Sequence, residues 1–171
     1  MQNPFFSIYE DNHLLIVDKS AGVLVQGDKT RDKPLLDYCK DYIKNKYKKP
    51  GDVFLGTVHR LDRPVSGAVV FARTSKALER MNKLFKDRKI NKTYWAVVDK
   101  PLTPDKGEVD QWVLKDAKRN TVGVVPAGAA GAKQARTSYR TLAHAGPRYL
   151  MELEPHTGRS HQLRVAMASQ G

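Results

Sequence analysis

The most constraining stretch of this chain is a polar segment that runs without a break into an apolar one. It reads His59-Arg60-Leu61-Asp62-Arg63-Pro64-Val65-Ser66-Gly67, followed by Ala68-Val69-Val70-Phe71-Ala72. The apolar run has the length of a buried strand, and Pro64 and Gly67 mark the residues before it as a loop. A strand anchored in a core holds the loop that feeds it at the edge of that core. Asp62 is therefore expected at a fixed place, with Arg60 and Arg63 beside it in sequence, and nearby cations favour the charged form of a carboxylate. Such a group is a candidate nucleophile or base. On these residues alone a structural turn outweighs catalysis, because most loop aspartates close turns or pair at the surface.

The rest of the chain supplies the elements around that loop. Residues 6–10 and 13–18 read as strands about the Asp11-Asn12 turn, and residues 23–27 as a third short strand after Lys19-Ser20-Ala21-Gly22. Leu35, Leu36, Cys39, Tyr42, Ile43 and Tyr47 recur at helical spacing, predicting a helix over residues 34–48. Ser75 is the expected N-cap of a second helix over residues 76–88, with Leu78, Met81 and Phe85 as its buried stripe. Strands are expected at residues 93–98 and 109–114. An antiparallel pair is expected from residues 135–142 and 148–154, where Tyr149, Met151 and Leu153 alternate toward one face. Residues 115–135 read as a hairpin or loop, and residues 159–167 as a final helix. No internal repeat or linker interrupts residues 1–171, so the expectation is a single α+β domain. Its sheet should be mixed and mostly antiparallel, with flanking helices and loops.

Charge narrows the partners. The chain has 30 Lys and Arg against 18 Asp and Glu, a net +12. That excess makes a field attractive to a polyanion, and nucleic acid is the leading candidate. No window approaches the roughly 18 apolar residues of a membrane span, and no basic amphipathic helix with an aromatic face points to a membrane surface. The single cysteine, Cys39, forms no internal disulfide and excludes a Cys-rich zinc site. With no signal-peptide pattern at the start, the cytoplasm is the expected compartment.

The chemistry-bearing residues exclude several schemes. No second carboxylate obviously partners Asp62, against a two-carboxylate glycosidase. Ser66 lacks a nucleophile-elbow context. His156 and His161 lack ligand spacing with an acidic partner, so no metal is expected. What remains is Asp62, Tyr94 on a strand, and Thr157-Gly158-Arg159-Ser160-His161-Gln162-Leu163-Arg164 between a strand and a helix.

In these residues the chain resembles the pseudouridine synthases of the RluA type. The resemblance rests on four motifs in order across residues 13–165: Lys19-Ser20-Ala21-Gly22, His59-Arg60-Leu61-Asp62 with Ser66-Gly67, Lys92-Thr93-Tyr94, and Thr157 through Arg164. It implies the pseudouridine synthase catalytic fold and isomerisation of uridine in ribosomal or transfer RNA. Asp62 would be the nucleophile. Tyr94 would pack on the uracil and help remove the C5 proton. Arg164 would keep Asp62 charged, and Leu163 would line the pocket. Arg60, in its His59-led loop, would enter the space left by the moved base; Arg159 and His161 are divided between RNA contact and shaping their turn. No cofactor is expected, since the isomerisation is neither redox nor hydrolytic, and the chain is expected to be a monomer. A basic RNA-binding module without turnover, and a structural ribosome-associated protein, are the alternatives. Departures from the family pattern are Ser20 for a proline, Pro64-Val65 in the motif loop, and Ala166 for a histidine. Family members continue after the last helix with further strands, which this sequence is expected to lack, along with an N-terminal RNA-binding module.

Overall fold

The computed structural model describes residues 4–170. They form two compact units that divide between Lys89 and Ile90.

The first unit contains β1 (Phe5–Glu10), β2 (Leu14–Lys19), α1 (Leu35–Lys46), β3 (Gly56–Thr57), β4 (Gly67–Ala72) and α2 (Ser75–Lys86). Its sheet is antiparallel, in the order β1-β2-β4-β3. Alternation along β2 and β4 sends Leu15, Val17, Val69 and Phe71 to one side. There they pack with Leu35, Cys39 and Ile43, which lie at i, i+4 and i+8 on α1. Phe71 is fully buried, a burial worth about 1.5–3 kcal/mol for a side chain of this kind.

Two local expectations change here. Residues 23–27 do not form a strand. The carbonyls of Leu24 and Val25 instead accept the first amides of α1, from Leu35 and Leu36. Pro34, at the N-cap, supplies no side-chain acceptor, so these carbonyls serve orphan donors of the helix start. The segment is drawn to the helix rather than to the sheet. For α2, Thr74 rather than Ser75 is the cap: its Oγ1 accepts from the Ala77 amide at 3.1 Å. The Leu78, Met81 and Phe85 stripe is half-buried, and Ala77 is the buried residue of that helix.

The second unit contains β5 (Tyr94–Val98), β6 (Lys106–Asp116), β7 (Thr121–Val125), β8 (Lys133–Ala145), β9 (Arg148–Pro155) and α3 (Gln162–Ala168). Its antiparallel sheet runs β5-β9-β8-β6-β7. Met151 and Leu153 of β9 form a core with Tyr139, Val109, Leu102 and Ala166 of α3. The segment 115–135 resolves into the β6–β7 hairpin and the start of β8. At its tip, Asp116 Oδ1 accepts the amides of Lys118 and Arg119. The two units are thus α+β, as the sequence predicts, but each has a wholly antiparallel sheet in place of the mixed one expected. No helix among the described residues is long and apolar enough to cross a membrane.

Candidate active site

The Asp62 loop is mounted on the sheet of the first unit from two sides. On one side, Lys19 ends β2 directly opposite Gly67, the first residue of β4. The chain leaving β2 and the loop arriving at β4 therefore meet. Gly22 and Gly67 take φ of 87° and 127°, a region open to glycine and strained for a residue with a Cβ. The Gly22 amide donates to the Arg63 carbonyl at 2.8 Å, and Arg63 Nε donates back to the Gly22 carbonyl at 3.0 Å. A turn closed by the Val65 amide on the Asp62 carbonyl, at 3.0 Å, follows within the loop.

Beneath this meeting point lies Lys19, with no exposed surface. Its Nζ donates to the carbonyls of Val23 at 2.8 Å, Ser20 at 3.1 Å and Arg63 at 3.2 Å. Three donors meet three acceptors, which is the full capacity of an ammonium. Burial pushes the Lys19 pKa below its usual value, and the Asp62 carboxylate opposes that shift. Lys19 is therefore a buried cation within electrostatic reach of Asp62. Arg63, expected beside Asp62 from the sequence, pairs with Asp32 at 2.8 Å.

On the other side is His59. The strand β3 covers only Ala72 and Phe71 on its edge of β4. The next outward amide, from Val70, donates to His59 Nε2 at 3.1 Å, so that nitrogen carries no proton. The ring stacks on Phe85 of α2 with centroids 5.1 Å apart. Leu61 packs on the core of the unit. Arg60 is exposed and Asp62 half-buried. His59, Arg60 and Asp62 thus come together in one braced loop.

The second unit carries the other residues. Tyr94 begins β5 opposite Leu153. It packs, with Leu163 of α3, against the core made by Met151, Leu153 and Ala166. Both therefore rest on one core. Arg164 is exposed on α3. The final helix begins three residues later than expected, because His161 takes a left-handed conformation, φ 51°, and ends the preceding turn. Arg159 Nε donates to the Gln134 carbonyl at 2.9 Å, and its amide donates to Gln162 Oε1 at 3.0 Å. Both contacts shape the turn.

Two residues that the sequence offers only as members of motifs, Lys19 and Gln162, take a structural role here. Lys19 had a legible signal: Leu15, Val17 and Lys19 share the inward face by strict alternation. Gln162 had none, since a helix begun at residue 159 gives no reason to bury it.

The profile of the family described as RNA pseudouridylate synthase matches residues 13–169, and the chain belongs to that family. It is 35% identical over 174 residues to the ribosomal large subunit pseudouridine synthase D of Zymomonas mobilis, covering 98% of this chain and 53% of that protein. It is 32% identical over 167 residues to the protein of the same name from Borreliella burgdorferi, covering 96% and 51%. The chain spans about half the length of these curated relatives. Among solved structures, human RNA pseudouridylate synthase domain containing 4 superposes with a TM-score of 0.81 at 26% identity, covering 95% of this chain and 63% of that one.

Proposed function

We propose that this chain isomerises uridine to pseudouridine in RNA, with Asp62 as the nucleophile. The observation that carries the reading is the family match over residues 13–169, which includes every motif residue named above. The relatives' names favour ribosomal RNA of the large subunit over transfer RNA.

The residue types suit the reaction. The N1–C1′ bond breaks, the uracil turns, and C5–C1′ forms; the C5 proton leaves and N1 gains one. Atoms and electrons balance within the nucleotide, so one carboxylate acting covalently is sufficient. Tyr94 supplies an aromatic face for the base and a phenol near the C5 proton. Arg164 supplies the cation that keeps Asp62 ionised in a partly apolar pocket, where burial alone favours the neutral acid. Leu163 lines that pocket, and Arg60 fills the place of the displaced base. His59, Arg159 and His161 support RNA binding through the loops they shape. A glycosidic bond inside an RNA stack is reached by flipping the nucleotide out, which costs a few kcal/mol. The net charge of +12 offsets that through phosphate contacts.

The test is incubation of large-subunit ribosomal RNA transcripts with the wild type and with Asp62→Asn, followed by pseudouridine mapping. Pseudouridine at a defined position from the wild type alone supports the reading. Equal signal from both proteins sinks it. RNA binding by both with no product from either replaces it with a binding module that keeps the fold.

A further inference from the structure

We infer that Gln162 is a positioning residue, whose buried carboxamide sets α3, and with it Arg164, for the reaction; the inference rests on the proposed activity. The ladder between β8 and β9 reaches its last pair at Thr137 and Pro155. Beyond that pair β8 continues to Lys133, and its freed edge needs other partners.

The segment 156–162 provides them, mostly with side chains. The His156 amide donates to the Arg136 carbonyl at 2.9 Å. The Arg136 amide donates to Thr157 Oγ1 at 3.0 Å. Arg159 Nε reaches the Gln134 carbonyl, two residues along the same edge. Gln162 closes the arrangement. Its Oε1 accepts from Thr157 Oγ1 at 2.7 Å and from the Arg159 amide at 3.0 Å. Its Nε2 donates to the Arg136 carbonyl at 2.9 Å and to Thr137 Oγ1 at 3.0 Å.

All four hydrogen-bonding positions of the carboxamide are used. The Arg159 amide can only donate and the Arg136 carbonyl can only accept, so the orientation of the group is determined by its surroundings. Gln162 is 5% exposed, which makes these bonds costly to lose.

The helix that follows needs this support. It has seven residues, and no side chain caps its start. A helix of two turns is not stable by itself in water. Ala166, Leu163 and Met167 hold its apolar face on the core, but apolar burial is non-directional. Gln162 is the first residue of the helix, and its directional bonds fix rotation about the axis. Arg164 follows two residues later, so its guanidinium inherits that rotation.

The experiment compares the full chain with Gln162→Met, which keeps the volume and removes the bonds, and with Thr157→Val, a milder change in case the first variant folds poorly. Hydrogen exchange read by mass spectrometry should show residues 163–169 exchanging about tenfold faster in Gln162→Met while β6 is unchanged. Unchanged protection of α3 overturns the clamp. In steady-state pseudouridine formation, kcat should fall about tenfold or more with KM within about threefold of the wild type. Adding Gln162→Met to Arg164→Ala should cost no further activity beyond about threefold, because the first change acts through the second residue. A full multiplicative loss in the double variant, or an unchanged kcat in a folded single variant, overturns the positioning role. A wild type without turnover defeats the functional reading and the positioning role together, and the exchange measurement then decides the clamp alone.

Discussion

The loop of the first unit is gathered by a charged group, and the corresponding segment of the second by a neutral one. Lys19 can only donate, so it collects carbonyls: those of Ser20, Val23 and Arg63. Gln162 both donates and accepts, so it joins a carbonyl and two hydroxyls to a backbone amide. The difference follows from what each segment leaves exposed. Two chain reversals that meet at a strand end, as at Lys19 and Gly67, turn carbonyls inward. A strand edge abandoned by its neighbour, as at Arg136, presents amides and carbonyls together. The charged clamp also does something the neutral one cannot: it places a buried positive charge within reach of Asp62.

The largest effect should come from breaking the charged clamp. Lys19→Met should lower stability by about 3–5 kcal/mol, since it strands three carbonyls and removes a buried cation coupled to Asp62. Urea denaturation of the full chain measures this. A loss no greater than for an exposed lysine such as Lys76 would mean that water replaces the ammonium.

Next is a second charged node in the first unit. Glu10, whose side chain is 8% exposed, accepts from Tyr42 at 2.9 Å, Lys46 and Tyr47 at 2.7 Å each, and Arg73 at 2.9 Å. It ties β1 to α1 and to the residue after β4. Glu10→Ala should cost about 2–4 kcal/mol by the same denaturation. The node should also titrate. Burial raises the Glu10 pKa, but the bonds from Lys46, Tyr47 and Tyr42 outweigh it and leave the value below the usual 4.5. The folded state then holds its proton less tightly than the unfolded one. Glu10 contributes stability above the usual glutamate value, and that contribution is lost as pH falls from there through the lower folded value. Glu10→Gln should flatten this part of the acid profile.

A smaller effect sharpens the contrast between the clamps. The Lys19 pKa lies below 10.5, so as pH rises the folded chain releases this proton before the unfolded chain does. Between the folded value and 10.5 the unfolded state binds more protons, and the Lys19 contribution to stability rises with pH. The difference in unfolding free energy between wild type and Lys19→Met should therefore grow on the alkaline side, whereas that between wild type and Gln162→Met should stay level. A level profile for both would remove the distinction.

The smallest expected effect is at Cys39. The thiol is buried in the core of the first unit and its pKa is pushed up to about 12 by burial. A disulfide reagent at pH 8 should leave the native protein unmodified and react fully only with unfolded chain.

Much of this was legible from the sequence. Strands β2, β4, β8 and β9 follow from apolar runs, turn signals and alternation, α1 from its 35-39-43 repeat, and the four motifs from residue identity. The failures share a cause. Residues 23–27 have strand composition, but Leu24 and Val25 give their carbonyls to α1. Residues 159–161 have helical composition, but β8 draws Arg159 and the turn around it to its edge. In each case a backbone group far away in sequence claimed a segment whose own preference pointed elsewhere, and no local window contains that competitor.

What the sequence determined alone is the inventory: an aspartate in a loop ahead of an apolar strand, an aromatic residue on another strand, a basic surface and a family. Periodicity and residue chemistry are local, so they can be read along a line. What only the tertiary structure decided is which side chains hold those residues still. Lys19 and Gln162 are buried because they satisfy backbone groups that become neighbours only after folding. A buried polar group is tolerable only when its partners are already in place.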